Sequence, residues 1–187
     1  MYSESLIMQT IERTLLFGRT ATQTGAVYPF PRTEYTLKVA LVYQDAVTRL
    51  WAGQVREMLA EVAGQAALRS TEWDIGALRQ QGIFADGVAA LARADLIVMA
   101  VHDDARFPAE FYLWVNLWLQ QRLGSPGALV ALVGTAGDLG PVHNETRSYL
   151  HAVASQGRLE LFFKQYDGEA GVSNVLGEEL IEWAKAA

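Results

Sequence analysis

The sequence predicts an α/β domain, a three-layer α-β-α sandwich with helices on both faces of a five-stranded parallel sheet. Three observations carry this expectation. From position 37 onward, short apolar runs alternate with longer segments of helical periodicity. Two of the runs, Leu96 to Val101 and Ala128 to Val133, are apolar at every position, as strands are when both faces are covered. Each ends in turn-forming sequence, His102-Asp103-Asp104 and Gly134-Thr135-Ala136-Gly137, as a strand does when it feeds a crossover. With right-handed crossovers, the strand order 2-1-3-4-5 is the economical topology.

Taken in order, residues 3–17 place Leu6, Ile7, Ile11, Leu15 and Leu16 at helical spacing, with Ser3 or Ser5 as cap and Gly18 beyond the end. Residues 20–36 carry Pro29 and Pro31 without a sustained period and read as a connector. The expected division is therefore an N-terminal helical extension, 1–36, and a folded domain, 37–187. Leu37 to Tyr43 is the first strand, and Val47, Leu50, Trp51, Val55, Met58, Leu59 and Val62 set a helix over 47–62. Ala67 to Trp73 reads as a weaker edge strand, and 74–93 as a helix interrupted near Gly82 and Gly87. Asp95 to Val101 is the central strand, and Pro108 opens a helix running to Leu123, its missing N–H harmless in a first turn. Ala128 to Val133, a helix over 145–155, a strand over 158–163 and a helix over 172–185 complete the pattern.

Composition excludes several classes of function. At 187 residues, with 51% hydrophobic and 19% charged residues, the chain holds one well-buried domain and is not disordered. Its 15 basic residues are scattered among 21 acidic ones, net charge -6, which argues against a nucleic-acid footprint. The absence of cysteine removes thiol catalysis, disulfides and thiolate metal sites. No apolar run reaches the ~18 residues needed to cross a bilayer. The first residues lack a basic signal-peptide start, so a cytoplasmic protein without membrane partners is expected.

In open parallel sheets ligands bind beyond the carboxyl ends of the strands, which directs attention to the turns at 44–49, 102–107 and 134–140. The run Ala94 to Val101, then Phe107-Pro108-Ala109-Glu110-Phe111, then Trp114-Val115 and Trp118-Leu119, together with Val130 to Gly137, resembles the flavodoxin-like superfamily. The nearest branch is that of the NADPH-dependent FMN reductases and quinone reductases. The likeness in layout covers roughly 37–186 and is specific over 94–137. It implies the family fold and a cleft for FMN or another small anionic or aromatic ligand, lined by Asp45, Thr48, Arg49, His102, Asp103, Asp104, Phe107, Gly134, Thr135 and Gly137.

The sequence also departs from that family. The hydroxyl-rich loop that holds the FMN phosphate is replaced by Gln44-Asp45-Ala46-Val47-Thr48-Arg49, where only Thr48 and Arg49 suit an anion and Asp45 repels one. The Thr-Pro-x-Tyr loop that cradles the flavin ring becomes His102-Asp103-Asp104-Ala105, leaving Phe107 or Trp73 as aromatic substitutes. The leading expectation is a binding or regulatory domain with a degenerate flavin site; the alternative is an FMN-dependent NAD(P)H oxidoreductase.

Asp45, Asp103 and Asp104, with Thr135 and Lys164, also resemble the Mg²⁺-binding edge of receiver domains, although the phosphoacceptor position falls near Ala100. The commoner role for these acids is capping: Asp45 the first helix, Asp103 or Asp104 the helix after the third strand. His102, His143 and His151 lack metal-ligand spacing, and neither a nucleophile elbow nor a P-loop occurs. Phe111, Trp114, Val115 and Trp118 form one helical stripe, which reads as core or as an interface. A homodimer is expected, with the stripe of Leu6, Ile7, Ile11 and Leu15 covering the partner's tryptophan-bearing helix.

Overall fold

The computed structural model describes residues 36–103, 106–122, 124–134, 144–166 and 174–186. The expected N-terminal helix and connector, and Asp104, Thr135 and Gly137 of the expected cleft, lie outside the described residues. Five strands, β1 (Leu37–Tyr43), β2 (Leu68–Asp74), β3 (Leu96–His102), β4 (Ala128–Gly134) and β5 (Glu160–Tyr166), pair in parallel in the order β2-β1-β3-β4-β5. The connecting helices are α1 (Ala46–Ala63), α2 (Gln81–Ala92), α3 (Ala109–Gln121), α4 (Asn144–Gly157) and α5 (Asn174–Ala186).

The two-residue period of the strands divides the core. Leu41, Val98, Ala100, Val130 and Leu132 face α1 and α5, where they meet Trp51, Val55, Leu59 and Leu180. Their neighbours Val42, Ile97, Met99, Leu129 and Ala131 face α2, α3 and α4, where they meet Leu91, Trp114, Trp118 and Val153. Every residue from Leu96 to Val101 and from Ala128 to Gly134 is buried, which is why the sequence shows no alternation there. The stripe Phe111, Trp114, Val115 and Trp118 is core, 0 to 1% exposed, the first of the two readings the sequence left open for it.

Three expected boundaries move. The interruption in 74–93 falls at Gln80, between a 3-10 turn (Ile75–Arg79) and α2, and not at Gly82 or Gly87. Asp74 fixes the turn by accepting a bond from the Gly76 amide at 2.7 Å. Gly87 sits inside α2 because the Trp114 indole lies against it: an added Cβ would come within 2.7 Å of Trp114 Cζ2. The last strand begins at Glu160, not at 158, because Arg158 takes a left-handed conformation (φ 51°) and the Leu159 amide still bonds back to Ala154 at 2.9 Å. Pro108 opens α3 as expected, but as the cap residue and not within the first turn, and it makes no side-chain cap bond.

At the opposite end of the sheet from the expected cleft, Arg122 is 1% exposed. Its guanidinium donates to the carbonyls of Ala94 (2.7 Å), Leu91 (3.3 Å), Pro126 (3.0 Å) and Ser125 (3.2 Å). It thereby ties the end of α2 to the turn that enters β4. Burial lowers its pKa, opposed by the charge of Asp95.

Candidate functional site

The connection from β1 to α1 is two residues long, Gln44 and Asp45, and it is closed by its own side chains. Asp45 Oδ1 accepts from the Val47 amide at 3.0 Å and the Thr48 amide at 2.9 Å. In return, Thr48 Oγ1 accepts from the Gln44 and Asp45 amides, each at 2.9 Å. This reciprocal capping box satisfies donors at the start of α1 and explains a fully buried threonine. The capping role expected for Asp45 is therefore the one it has.

The second carboxylate oxygen of Asp45 lies 2.7 Å from His102 Nε2 at the end of β3. The His102 amide donates to Gln44 Oε1 at 3.2 Å, and the Asp103 amide to the Gly134 carbonyl at 2.8 Å, so the ends of β1, β3 and β4 are stitched together. From α4, Thr146 Oγ1 donates to the Asp103 carbonyl at 2.9 Å. Partial burial pushes the Asp45 carboxyl up, but the Thr48 amide, His102 and the Thr48 hydroxyl outweigh this and hold it below its ordinary 3.8. It is a carboxylate at neutral pH.

Behind this pair sits an aromatic group of which the sequence reading named only Trp51, as part of the apolar face of the first helix. Trp51 stacks on Tyr166 with centroids 4.4 Å apart and meets His102 edge-on at 5.5 Å. The Tyr166 hydroxyl donates to Gln54 Oε1 at 2.8 Å. The Trp51 ring lies directly on Gly134, where any Cβ would overlap it. His102 Nδ1 is buried in this packing and has no hydrogen-bond partner among the described residues. Trp51 carried a signal, a large aromatic one and a half turns into the first helix, but only the fold brings Tyr166 and Gly134 to it.

The expected cleft thus assembles in part. Asp45, Thr48, His102, Asp103 and Gly134 converge. Arg49 turns to the sheet edge, where its Nε bonds Glu72 of β2 at 2.8 Å and its guanidinium lies over the Tyr43 ring. Phe107 packs on Phe111 at 4.5 Å and beside Tyr112 and Tyr149, each at 6.1 Å, and is no open ring platform. Trp73 bonds Thr71 on its own strand at 3.0 Å. Among the described residues no three metal-ligating side chains come together. The chemical content of the edge is a hydrogen-bonded Asp-His pair, its other ring nitrogen shut away from solvent, and two helix-start amides already in use.

No protein-family model matches this chain, and no curated protein matches its sequence. Solved structures do match its shape. A flavodoxin, WrbA-like protein from Agrobacterium tumefaciens is 18% identical, over 79% of this chain and 97% of that one, with a TM-score of 0.53. The two-electron reduced flavodoxin of Megasphaera elsdenii is 14% identical, over 80% of this chain and 99% of that one, with a TM-score of 0.51. An NADH:FMN oxidoreductase in its apo form is 13% identical, over 81% of this chain and 89% of that one, with a TM-score of 0.55. At these identities the likeness is one of fold, and the strand order agrees with it.

Proposed function

Starting from a flavodoxin-like fold, we propose that this chain is a binding or regulatory domain that works without FMN. One observation carries the reading: the carboxylate of Asp45 occupies the Val47 and Thr48 amides at the start of α1. A helix start binds a phosphate through such free amides and the positive end of the helix dipole. Here the chain supplies its own anion, and the two-residue connection leaves no further backbone to fold around a second one. A phosphate brought to this point meets like charge at close range, a repulsion on the order of a few kcal/mol in a partly desolvated setting. The residues present therefore do not fit the phosphate end of a flavin nucleotide.

The ring end gives the same indication. The aromatic side chains at this edge are committed to one another, Trp51 to Tyr166 and His102, Phe107 to Phe111 and Tyr149. The Asp-His pair could in principle move a proton, but the inner nitrogen of the ring is buried against Trp51 and no nucleophile stands beside the outer one among the described residues. That favours binding over catalysis.

The NADH:FMN oxidoreductase among the structural neighbours makes FMN the ligand to try. FMN is titrated into the purified chain while flavin fluorescence and visible absorbance are followed. The expected result is a colourless protein and no saturable quenching at micromolar concentrations. Stoichiometric uptake of FMN, or a yellow protein on purification, overturns the reading and favours the oxidoreductase.

A further inference from the structure

We infer that the groove between α1 and β2 is a docking site for this chain's own N-terminal segment, with residues 27–35 as its occupant. This is independent of whether FMN binds. The groove, about 630 Å³ in volume, runs along the second half of α1 and is lined by Arg56, Glu57, Ala60, Glu61, Leu68 and Ser70 among others. Its floor is Leu68, which packs on the core beneath α1 and yet is only partly buried. One wall is set in advance: Arg56 Nη1 bonds Glu72 Oε1 at 3.0 Å, which stretches the arginine stem from α1 to β2 and spares its ordering cost on contact. The other flank of α1 is taken by α5, where Met58 lies against Gly177.

The choice of occupant follows from where the described chain begins. Thr36 leads directly into β1, and Leu37 lies beside Leu68 in the parallel pairing. Neighbouring strands are about 4.8 Å apart, so the preceding chain emerges one strand away from the floor of the groove. That chain, Val27-Tyr28-Pro29-Phe30-Pro31-Arg32-Thr33-Glu34-Tyr35, lies outside the described residues, and it carries three aromatic side chains and two prolines. Prolines favour an extended conformation of about 3.1 Å per residue, which gives Phe30 a reach of roughly 20 Å from the start of β1. The α1 wall from Arg56 to Glu61 is about 8 Å long and falls within that reach. Charge is complementary as well: Glu57 and Glu61 are exposed on the rim, and Arg32 follows the Pro29-Phe30-Pro31 run meant for the floor. A segment tethered this closely has an effective concentration on the order of millimolar at the groove, which favours it over a second copy or a free partner. Side chains make the contact, and the hydrogen-bonding edge of β2 stays free.

The chain contains no cysteine, so a disulfide can be placed without competing thiols. Phe30→Cys is combined with Ala60→Cys in the groove and, as a control, with Ala152→Cys, exposed on α4 across the sheet. Both full-length double variants are oxidised in dilute solution and followed on non-reducing gels, with far-ultraviolet circular dichroism to confirm folding. The expected result is a disulfide within one chain for the groove pair, formed about tenfold faster or more than in the control. Equal rates in the two variants overturn the proposal. So does a cross-linked dimer as the main product of the groove pair, which would make a second copy the occupant. If Ala60→Cys does not fold, Phe30→Ser alone decides: the amide resonances of Ala60, Glu61 and Leu68 are expected to shift from their wild-type positions, and unchanged resonances overturn the proposal.

Discussion

At the scale of the residue, Asp45 does three things with one side chain: it caps α1, it orders the turn from β1, and it holds His102. Its depressed pKa fixes the direction of a pH effect. A carboxyl held below its unfolded value contributes stability above that value and loses the contribution as pH falls through the folded one. Asp45→Ala is therefore expected to cost about 1 kcal/mol at neutral pH, the usual cost of losing such a cap. The difference from wild type should shrink as pH drops below 3.8, because the wild-type side chain is then losing its charge as well. Asp45→Asn, which keeps a capping oxygen but no charge for His102, should cost less at neutral pH. Urea midpoints for the three proteins at neutral and acid pH decide this, and an equal penalty for Asp45→Ala at both refutes the assignment.

At the scale of the element, glycines separate two kinds of helix position. Gly53 lies in the middle of α1 with open space where a Cβ would go. There glycine only adds freedom to the unfolded chain, so Gly53→Ala should stabilise by about 0.5 to 1 kcal/mol. Gly87 of α2 has the same helical backbone but lies under the Trp114 indole, whose Nε1 donates to the Phe84 carbonyl at 3.1 Å and cannot swing away without losing that bond. Gly87→Ala should destabilise by about 1 to 3 kcal/mol through overpacking. Thermal melts of the two variants should move in opposite directions. A shift of the same sign in both would mean that the Trp114 contact is not what holds α2 against α3.

At the scale of the whole molecule, the sheet is uneven. β3 is buried from Leu96 to Val101 and β4 throughout, and both are paired on both sides, whereas β2 is an edge strand with Arg69, Ser70 and Thr71 all exposed. Stability should be graded in the same way. In native-state hydrogen exchange, amides of 96–101 and 128–133 are expected to exchange only through global unfolding, and those of 68–71 through smaller local openings. Protection in β2 equal to that in β4 would show that its free edge is covered in solution.

The sequence by itself determined the class and order of the elements, because both are set by local periodicity: uninterrupted apolar runs where a strand is covered twice, helical spacing where a segment has one buried face. It also marked the edge at which the ends of β1, β3 and β4 meet, and the acid that caps α1, since capping acts over three residues. Only the tertiary structure decided the rest. That Asp45 pairs with a histidine 57 positions away, that Trp51 covers Gly134 and stacks on Tyr166, and that Arg49 leaves the cleft for Glu72 are facts about which strands lie side by side. The shift of β5 to Glu160 turned on a left-handed Arg158, which periodicity does not register. Patterns a few residues long record which face of an element is wet or dry. Which residue meets which, across the sheet, is set by strand order and register, and that pairing brings His102 to Asp45 and Gly134 under Trp51.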